Sequence, residues 1–141
     1  ELMIILFYII YSYSHSNMSE ESRVKTPTLD RNDFQAIINA NRDTLVFKFG
    51  ADWCGPCKRS KPLIYKLAEE MPENVTVFDI DVDDSFDLYA WMKTKKQVNG
   101  IPVLLAYYRD NKTFAPSYSY TGGDENGITD FFNVVRKAAS M

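Results

Sequence analysis

Two cysteines set the strongest constraint on this sequence. Cys54 and Cys57 are the only cysteines among 141 residues, and only Gly-Pro separates them. A short apolar run at residues 45–49 precedes the pair, and a stretch with helical character follows it up to residue 70. An apolar run, a tight turn and a helix predict a strand whose end leads into a helix N-terminus. The cysteine pair is therefore expected at a strand-to-helix junction.

This position favours a reactive thiolate at Cys54. Unpaired backbone N–H groups and the positive end of the helix dipole stabilise an anion at a helix N-terminus. Since the thiolate is the attacking form of cysteine, this stabilisation raises the reactive fraction of Cys54. Cys57 lies one turn deeper on the same helical face, where it can close a disulfide with little backbone movement. Pro56 is tolerated between them because the first helical turn has no acceptor for its missing N–H.

Hydrophobic periodicity predicts alternating helices and strands along the rest of the chain. A first helix is expected at residues 28–40, capped by Thr28 or Asp30, and a central strand at residues 45–49. Pro116 cannot donate to a sheet ladder, so the last strand is expected at the sheet edge. Further helices are expected at residues 56–71, 85–93 and 128–139, and further strands at 75–82, 101–108 and 117–120. The pattern predicts an α/β fold with a mixed sheet covered by helices on both faces.

The motif from Trp53 to Cys57 resembles the WCGPC active site of the thioredoxin family. Three further landmarks of that family follow in order: a helix-kinking proline, a cis-proline loop and a glycine turn before the last helix. They are matched by Pro62, Gly100-Ile101-Pro102 and Gly122-Gly123. The resemblance covers residues 28 to 140 and implies a thioredoxin fold with a central mixed sheet of four to five strands.

The resemblance also implies the chemistry of the pair. Cys54 is expected to be the nucleophile of thiol–disulfide exchange and Cys57 the resolving cysteine, with Cys54 and Cys57 forming the redox-active disulfide. The Gly55-Pro56 spacer is of the reductase type, whereas oxidases and isomerases of the secretory pathway usually carry a His there. A monomeric protein-disulfide reductase is therefore expected. Its partners would be disulfide-containing protein substrates and a thioredoxin reductase fed by NADPH.

Four other residues are expected to support the site. Trp53 would be partly exposed beside Cys54, with a core tryptophan as the alternative. The backbone of Ile101 would offer strand-like hydrogen bonds to an extended substrate, and the cis assignment of Pro102 depends on the resemblance alone. Gly122 would let a substrate backbone approach closely, with an ordinary turn glycine as the alternative.

Lys48 departs from the family pattern. The position six residues before the first active-site cysteine holds a buried acid in the family, and Asp79 falls where many relatives carry a nearby lysine. The two signs are therefore expected to be exchanged in a Lys48–Asp79 pair beneath Cys57. Two alternatives stay open: Lys48 reaches solvent along its stem, or a neutral Lys48 accepts the proton of Cys57.

Other readings of the cysteine pair are weaker. A structural zinc site needs four ligands, and His15 is the only histidine, so no metal and no bound cofactor are expected. A disulfide that closes so small a loop would constrain the unfolded chain very little. The net charge of −3 with interspersed signs gives no basic stripe, so no nucleic acid is expected as a partner.

The N-terminal segment allows three interpretations. The apolar run that starts at Leu2 and ends at Tyr11 suits a signal-peptide core but is too short to span a bilayer, and no positive residue precedes it. It is upstream or non-native sequence, a truncated signal peptide, or a membrane anchor. Met18 opens a polar stretch typical of a cytosolic start. Residues 1–17 are excluded from the fold, residues 18–27 are taken as a polar leader, and the thioredoxin domain is expected at residues 28–141.

Three function classes fit these features. A cytoplasmic reductase fits best, because a single C-x-x-C in an otherwise cysteine-free chain suits a reducing compartment. A thiol oxidase or isomerase of the secretory pathway requires the apolar run to be a working signal. A thioredoxin-fold interaction module with little redox activity is suggested by Lys48 and by aromatic residues of the last hairpin, Tyr107, Tyr108, Phe114, Tyr118 and Tyr120.

Overall fold

The computed structural model describes residues 3–6, 9 and 22–141. Residues 3–6 and 9 are helical and exposed. The rest of the apolar run, and the polar stretch up to residue 21, lie outside the described residues. In the part of the chain that is described, no helix is long and apolar enough to cross a membrane.

Four helices and four strands lie between residues 31 and 139. In chain order they are α1 (Arg31–Asn39), β1 (Thr44–Gly50), α2 (Gly55–Glu69), β2 (Val75–Asp81), α3 (Phe86–Thr94), β3 (Val103–Tyr107), β4 (Tyr118–Thr121) and α4 (Glu125–Ala139). The strands form one mixed sheet in the order β2-β1-β3-β4. β1 runs parallel to β2 and antiparallel to β3, and β3 pairs with β4 as a hairpin. The expected α/β architecture is confirmed, with β4 at the sheet edge.

Helices cover both faces of this sheet, and each face has its own core. Phe47 and Phe49 of β1 point to the face covered by α1 and α3, where they pack with Phe34 and Leu88. Val46 points to the other face, which α2 and α4 cover. All seven residues of β1 are buried, since the strand is central and enclosed on both sides. A lysine in this strand, Lys48, is therefore placed in the protein interior.

Two helices begin three residues away from the expected start, because side chains outside the periodic stretch cap them. α1 begins at Arg31 rather than at residue 28, since Asp30 accepts from the backbone N–H of Asp33. Thr28 does not cap the helix. α4 begins at Glu125, three residues before Ile128, and is capped by Asp124, whose carboxylate accepts from Gly127 N.

The boundary expected at residue 28 also differs from the structure. Val24 is buried in the core under α2 and α4. Lys25 forms a parallel bridge with Phe78, donating to Val77 O and accepting from Asp79 N. The guanidinium of Arg23 donates to backbone carbonyls that follow α2. The last part of the expected leader is thus attached to the edge of β2, because an edge strand offers unpaired backbone groups.

The aromatic hairpin residues mostly pack within the domain. Tyr107 is fully buried, and its hydroxyl donates to Phe114 O at 2.7 Å. Burial raises the pKa of the Tyr107 phenol. Of the five hairpin aromatics, only Tyr118 is exposed, and its ring still stacks on Phe131. The hairpin therefore presents little free aromatic surface.

Candidate active site

The cysteine pair lies at the junction of β1 and α2, as the sequence predicts. Cys54 is the N-cap of α2, and its Sγ accepts from Cys57 N at 3.3 Å. The two cysteines form a disulfide, with Cα atoms 5.2 Å apart. Both side chains are buried, with 7% of Cys54 and 3% of Cys57 exposed. The backbone donor at Cys54 Sγ is a group that would stabilise a thiolate after reduction.

Two loops from the C-terminal half of the chain meet this junction. Ile101 O lies 4.0 Å from Cys54 Sγ, and the Ile101-Pro102 peptide bond is cis. Gly122 donates from its backbone N to Pro102 O at 2.9 Å and has a φ of 138°, a conformation suited to glycine. Gly123 approaches Pro56 so closely that a Cβ there would lie 3.2 Å from the Pro56 backbone oxygen. The structure thus brings Ile101, Pro102 and Gly122 together at the cysteine pair.

Trp53 is on the solvent side of the junction. Its side chain is 70% exposed, which settles the choice between a surface and a core tryptophan. The ring Nε1 donates to Asp83 Oδ2 at 2.9 Å, and Asp83 follows the carboxyl end of β2. The hydrogen bond holds one edge of the indole and leaves its apolar body available for contact.

Lys48 and Asp79 form a buried ion pair. They are register partners on β1 and β2, and Lys48 Nζ donates to Asp79 Oδ1 at 3.0 Å. Lys48 is 4% exposed, so its ammonium does not reach solvent along the stem. Lys48 and Asp79 are therefore paired in the way that the exchanged charge signs at these two positions suggested. Each charge is thereby compensated by the other in the interior.

A second donor completes the environment of Asp79. Tyr65 on α2 donates from its hydroxyl to Asp79 Oδ2 at 2.5 Å, and Lys61 Nζ lies 3.9 Å from the same oxygen. Burial, together with the hydrogen bond and charge of Asp79, raises the pKa of the Tyr65 phenol. A cavity of about 300 Å³ opens beside this cluster and is lined by Lys48, Asp79 and Cys57 among others. The ion pair, the cavity and the second cysteine are thus contiguous.

Comparison with known proteins places the whole domain. The family model described as Thioredoxin matches residues 25–133. Thioredoxin-1 of Drosophila melanogaster is 32% identical over 108 residues, which cover 76% of this chain and 94% of the fly protein. The chain belongs to the thioredoxin family. The match begins at Lys25, the residue that pairs with β2.

Other known proteins are similar to this chain as well. Thioredoxin of Ophiophagus hannah is 42% identical over 60 residues, 42% of this chain, and the match spans only 56% of the length of that relative. The solved structure of Trichomonas vaginalis thioredoxin superposes with a TM-score of 0.66 over 81% of this chain and 98% of that chain. At 20% identity, that likeness supports the thioredoxin fold alone. The fold expected from the sequence is therefore confirmed.

Two residues of the thioredoxin site were not singled out from the sequence. Tyr65 lies two steps of four residues after Cys57 along α2, so helical spacing could have indicated that the two share a face. Asp83 follows the C-terminal end of β2, and Trp53 follows the C-terminal end of the parallel strand β1. Because parallel strands end on the same side of a sheet, Asp83 and Trp53 could have been expected to be neighbours.

The arrangement of this thioredoxin site indicates thiol–disulfide oxidoreductase chemistry. A disulfide at a helix N-terminus, with a backbone donor at the outer sulfur, can accept and release two electrons through thiolate exchange. Over the described residues, no group of His, Cys, Asp and Glu side chains has a metal-binding arrangement.

Proposed function

We propose that this protein is a protein-disulfide reductase. The observation that carries the proposal is the position of Cys54 as N-cap of α2, with its Sγ bonded to Cys57 and accepting from Cys57 N. In the reduced protein, that donor and the helix dipole would favour the Cys54 thiolate, which is the attacking species. Membership of the thioredoxin family supports the same chemistry.

The proposed reaction transfers two electrons to the substrate. The Cys54 thiolate attacks one sulfur of a substrate disulfide, forming a mixed disulfide and releasing the other substrate sulfur as a thiolate that takes up a proton. Cys57, as a thiolate, then attacks Cys54 Sγ. The Cys54–Cys57 bond forms, the bond between Cys54 and substrate breaks, and the substrate leaves with two thiols. The disulfide of the present structure is the product state of this cycle.

The surface around Cys54 supports a protein substrate. Ile101 O stands beside Cys54 Sγ, Gly122 is held against Pro102, and the exposed body of Trp53 is on the outer side. An extended peptide segment could pair with the Ile101 backbone as an added strand and contact the indole. We therefore include disulfide-containing proteins as substrates in the proposal.

Direction, donor and compartment complete the proposal. The Gly-Pro spacer supports reduction, and the reductase role implies a thioredoxin reductase as electron donor. The cytoplasm is proposed as the compartment, because one C-x-x-C pair in an otherwise cysteine-free chain suits a reducing environment. The aromatic hairpin gives little support to an interaction module, since four of its five rings are buried or partly buried and the exposed ring of Tyr118 stacks on Phe131.

Trapping of mixed disulfides tests this proposal. In a Cys57→Ser variant the resolving sulfur is missing, so the protein is expected to accumulate a covalent complex with insulin, used as a model disulfide substrate. Dithiothreitol should reduce the mixed disulfide and release insulin from the complex. The Cys54→Ser variant, which keeps the inner cysteine, serves as the matched control and should trap little. Equal trapping by the two variants, or none by either, would contradict Cys54 as nucleophile.

A further inference from the structure

A buried ammonium lies near Cys57 on the β1 side. A Cβ built on Gly50 would lie 3.4 Å from Cys57 Sγ and 3.4 Å from Lys48 Nζ. The sulfur and the ammonium therefore border the same small space above Gly50. Both side chains are almost wholly buried. Since charges interact more strongly across a low-dielectric interior than across water, Lys48 can act on Cys57 over this distance.

The carboxylate of the pair is turned to other donors. Asp79 Oδ1 accepts from Lys48, and Oδ2 accepts from Tyr65, with Lys61 Nζ also near. The three atoms nearest to the point above Gly50 belong to Cys57 and Lys48, and none belongs to Asp79. Asp79 thus holds the ammonium in place, and at the point above Gly50 it is the positive end of the pair that borders the sulfur.

Other charged groups around the cavity are more solvated. The loops after β1 and β2 contribute Asp52 and Asp84, β2 contributes Asp81, and α2 contributes Lys58 and Lys61. These side chains are exposed or half-exposed. Their fields are screened by water and salt, and their signs are mixed. The unscreened charge that faces Cys57 is therefore that of the Lys48–Asp79 pair.

We propose that Lys48 is a positioning residue for the resolving step: its ammonium stabilises the Cys57 thiolate that attacks the mixed disulfide. The inference rests on the proposed function. Cys57 releases its proton to solvent through the adjoining cavity, and its sulfur then forms the bond to Cys54 as the bond to substrate breaks. The substrate sulfur leaves as a thiolate and is protonated by solvent. No carboxylate base beside Cys57 is required in this scheme.

The size of the effect follows from two opposing factors. An opposite charge at this range favours a thiolate by one pKa unit or more, and one unit is about tenfold in thiolate fraction. A more stable thiolate is also a weaker nucleophile, by about threefold for one unit at a Brønsted coefficient of 0.4–0.5. The gain in fraction exceeds the loss in reactivity. A net acceleration of about threefold is expected near neutral pH.

Titration of Cys57 tests the inference directly. The full chain carrying Cys54→Ser leaves Cys57 as its single thiol, whose pKa is read from the pH dependence of its reaction with iodoacetamide. Adding Lys48→Met and Asp79→Asn together removes both charges and leaves no unpaired ion. The pKa of Cys57 should then rise by up to about one unit, since the loss of the Asp79 charge partly offsets the loss of the ammonium; one unit is a tenfold loss of thiolate below the transition. Lys48→Arg, which keeps the positive charge, should stay near the parent.

Matched controls make the result interpretable. Lys66 is exposed on α2 and does not line the cavity, so Lys66→Met removes the same charge and should leave the Cys57 titration unchanged. Circular dichroism verifies the fold of each protein, and Lys48→Gln with Asp79→Asn replaces the Met variant if that one unfolds. A pKa of Cys57 that stays constant or falls in the charge-free variant would overturn the inference. Trapping by Cys57→Ser does not depend on Lys48, so its failure would instead overturn the proposed function.

Discussion

At the scale of single residues, the Lys48–Asp79 pair is costly to bury, and it holds a positive charge near Cys57. Each ion alone would be costly to bury in the interior, and the pair is tolerated because Asp79 also accepts from Tyr65. The strand that carries Lys48 is enclosed on both faces, so the side chain cannot escape to water. Removing one member should therefore be felt more strongly than removing both.

Lys48→Met is expected to lower the free energy of unfolding by about 3 kcal/mol, the low end for a broken buried pair. The low end applies because Tyr65 and Lys61 still compensate Asp79. The double variant Lys48→Met/Asp79→Asn should lose less than the single variant, since no unpaired charge remains. Urea unfolding of the oxidised proteins measures both values.

An exposed ion pair provides the comparison for that experiment. Arg31 and Asp87 form a pair at 2.8 Å with about half of each side chain exposed. Arg31→Met should change stability little, because solvent already screens this interaction. If Lys48→Met behaved like Arg31→Met, the buried pair would not be the stabilising contact described here.

At the scale of secondary-structure elements, local side chains decide where helices begin. α1 starts with a reciprocal capping box: Asp30 accepts from Asp33 N at 2.7 Å, and Asp33 accepts from Asp30 N at 3.0 Å. Just before it, Leu29 N donates to Ser85 Oγ at 2.9 Å, so that backbone is held by a distant loop. The first residues of the expected helix are thereby kept out of the helical conformation.

Asp30→Ala should destabilise the protein by about 1 kcal/mol, because the backbone N–H of Asp33 loses the carboxylate that caps it. Guanidinium unfolding measures the change. Asn32→Ala, an exposed substitution in the same turn without a capping bond, is the matched control and should be close to neutral. A loss from Asn32→Ala as large as that from Asp30→Ala would show that the turn, rather than the cap, is responsible.

The elements themselves could be predicted from the sequence, whereas their ends and some contacts could not. A short apolar run located β1 and helical spacing located α2, since both patterns reflect burial that recurs along the whole element. The bond between Leu29 and Ser85 joins residues 56 positions apart, and no local pattern contains it. The pairing of Lys25 with β2 has the same character, because a single bridge leaves no periodic trace.

The residues of the site also divide into those that the sequence could indicate and those whose contacts required the fold. Cys54 and Cys57 were recognisable because their chemistry and spacing are local. The contact of Trp53 with Asp83 and that of Tyr65 with Asp79 join separate elements and required the fold. The exchanged signs of Lys48 and Asp79 were visible in the sequence through the family pattern. Their distance from Cys57 became available only with the packed structure.

At the scale of the whole molecule, the sheet order concentrates the chemistry at one end. The parallel strands β1 and β2 deliver their carboxyl ends together, and β1 leads into α2 through the cysteine pair. β3 begins beside the cis Pro102, and β4 ends at the glycine turn, so both arms of the antiparallel hairpin reach the same end. Loops from four strands thus surround Cys54, and a rigid sheet fixes their relative positions.

The reduction potential of the Cys54–Cys57 pair tests the central claim most directly. The full chain would be equilibrated against thiol buffers of known potential, and the oxidised fraction read by thiol alkylation. The reduction potential is about −270 mV for thioredoxin-type reductases and about −180 mV for protein disulfide isomerase, a gap of roughly 4 kcal/mol for two electrons. We predict a value closer to the reductase. A value at the isomerase end would contradict the proposed reductase and indicate an oxidising role for this dithiol.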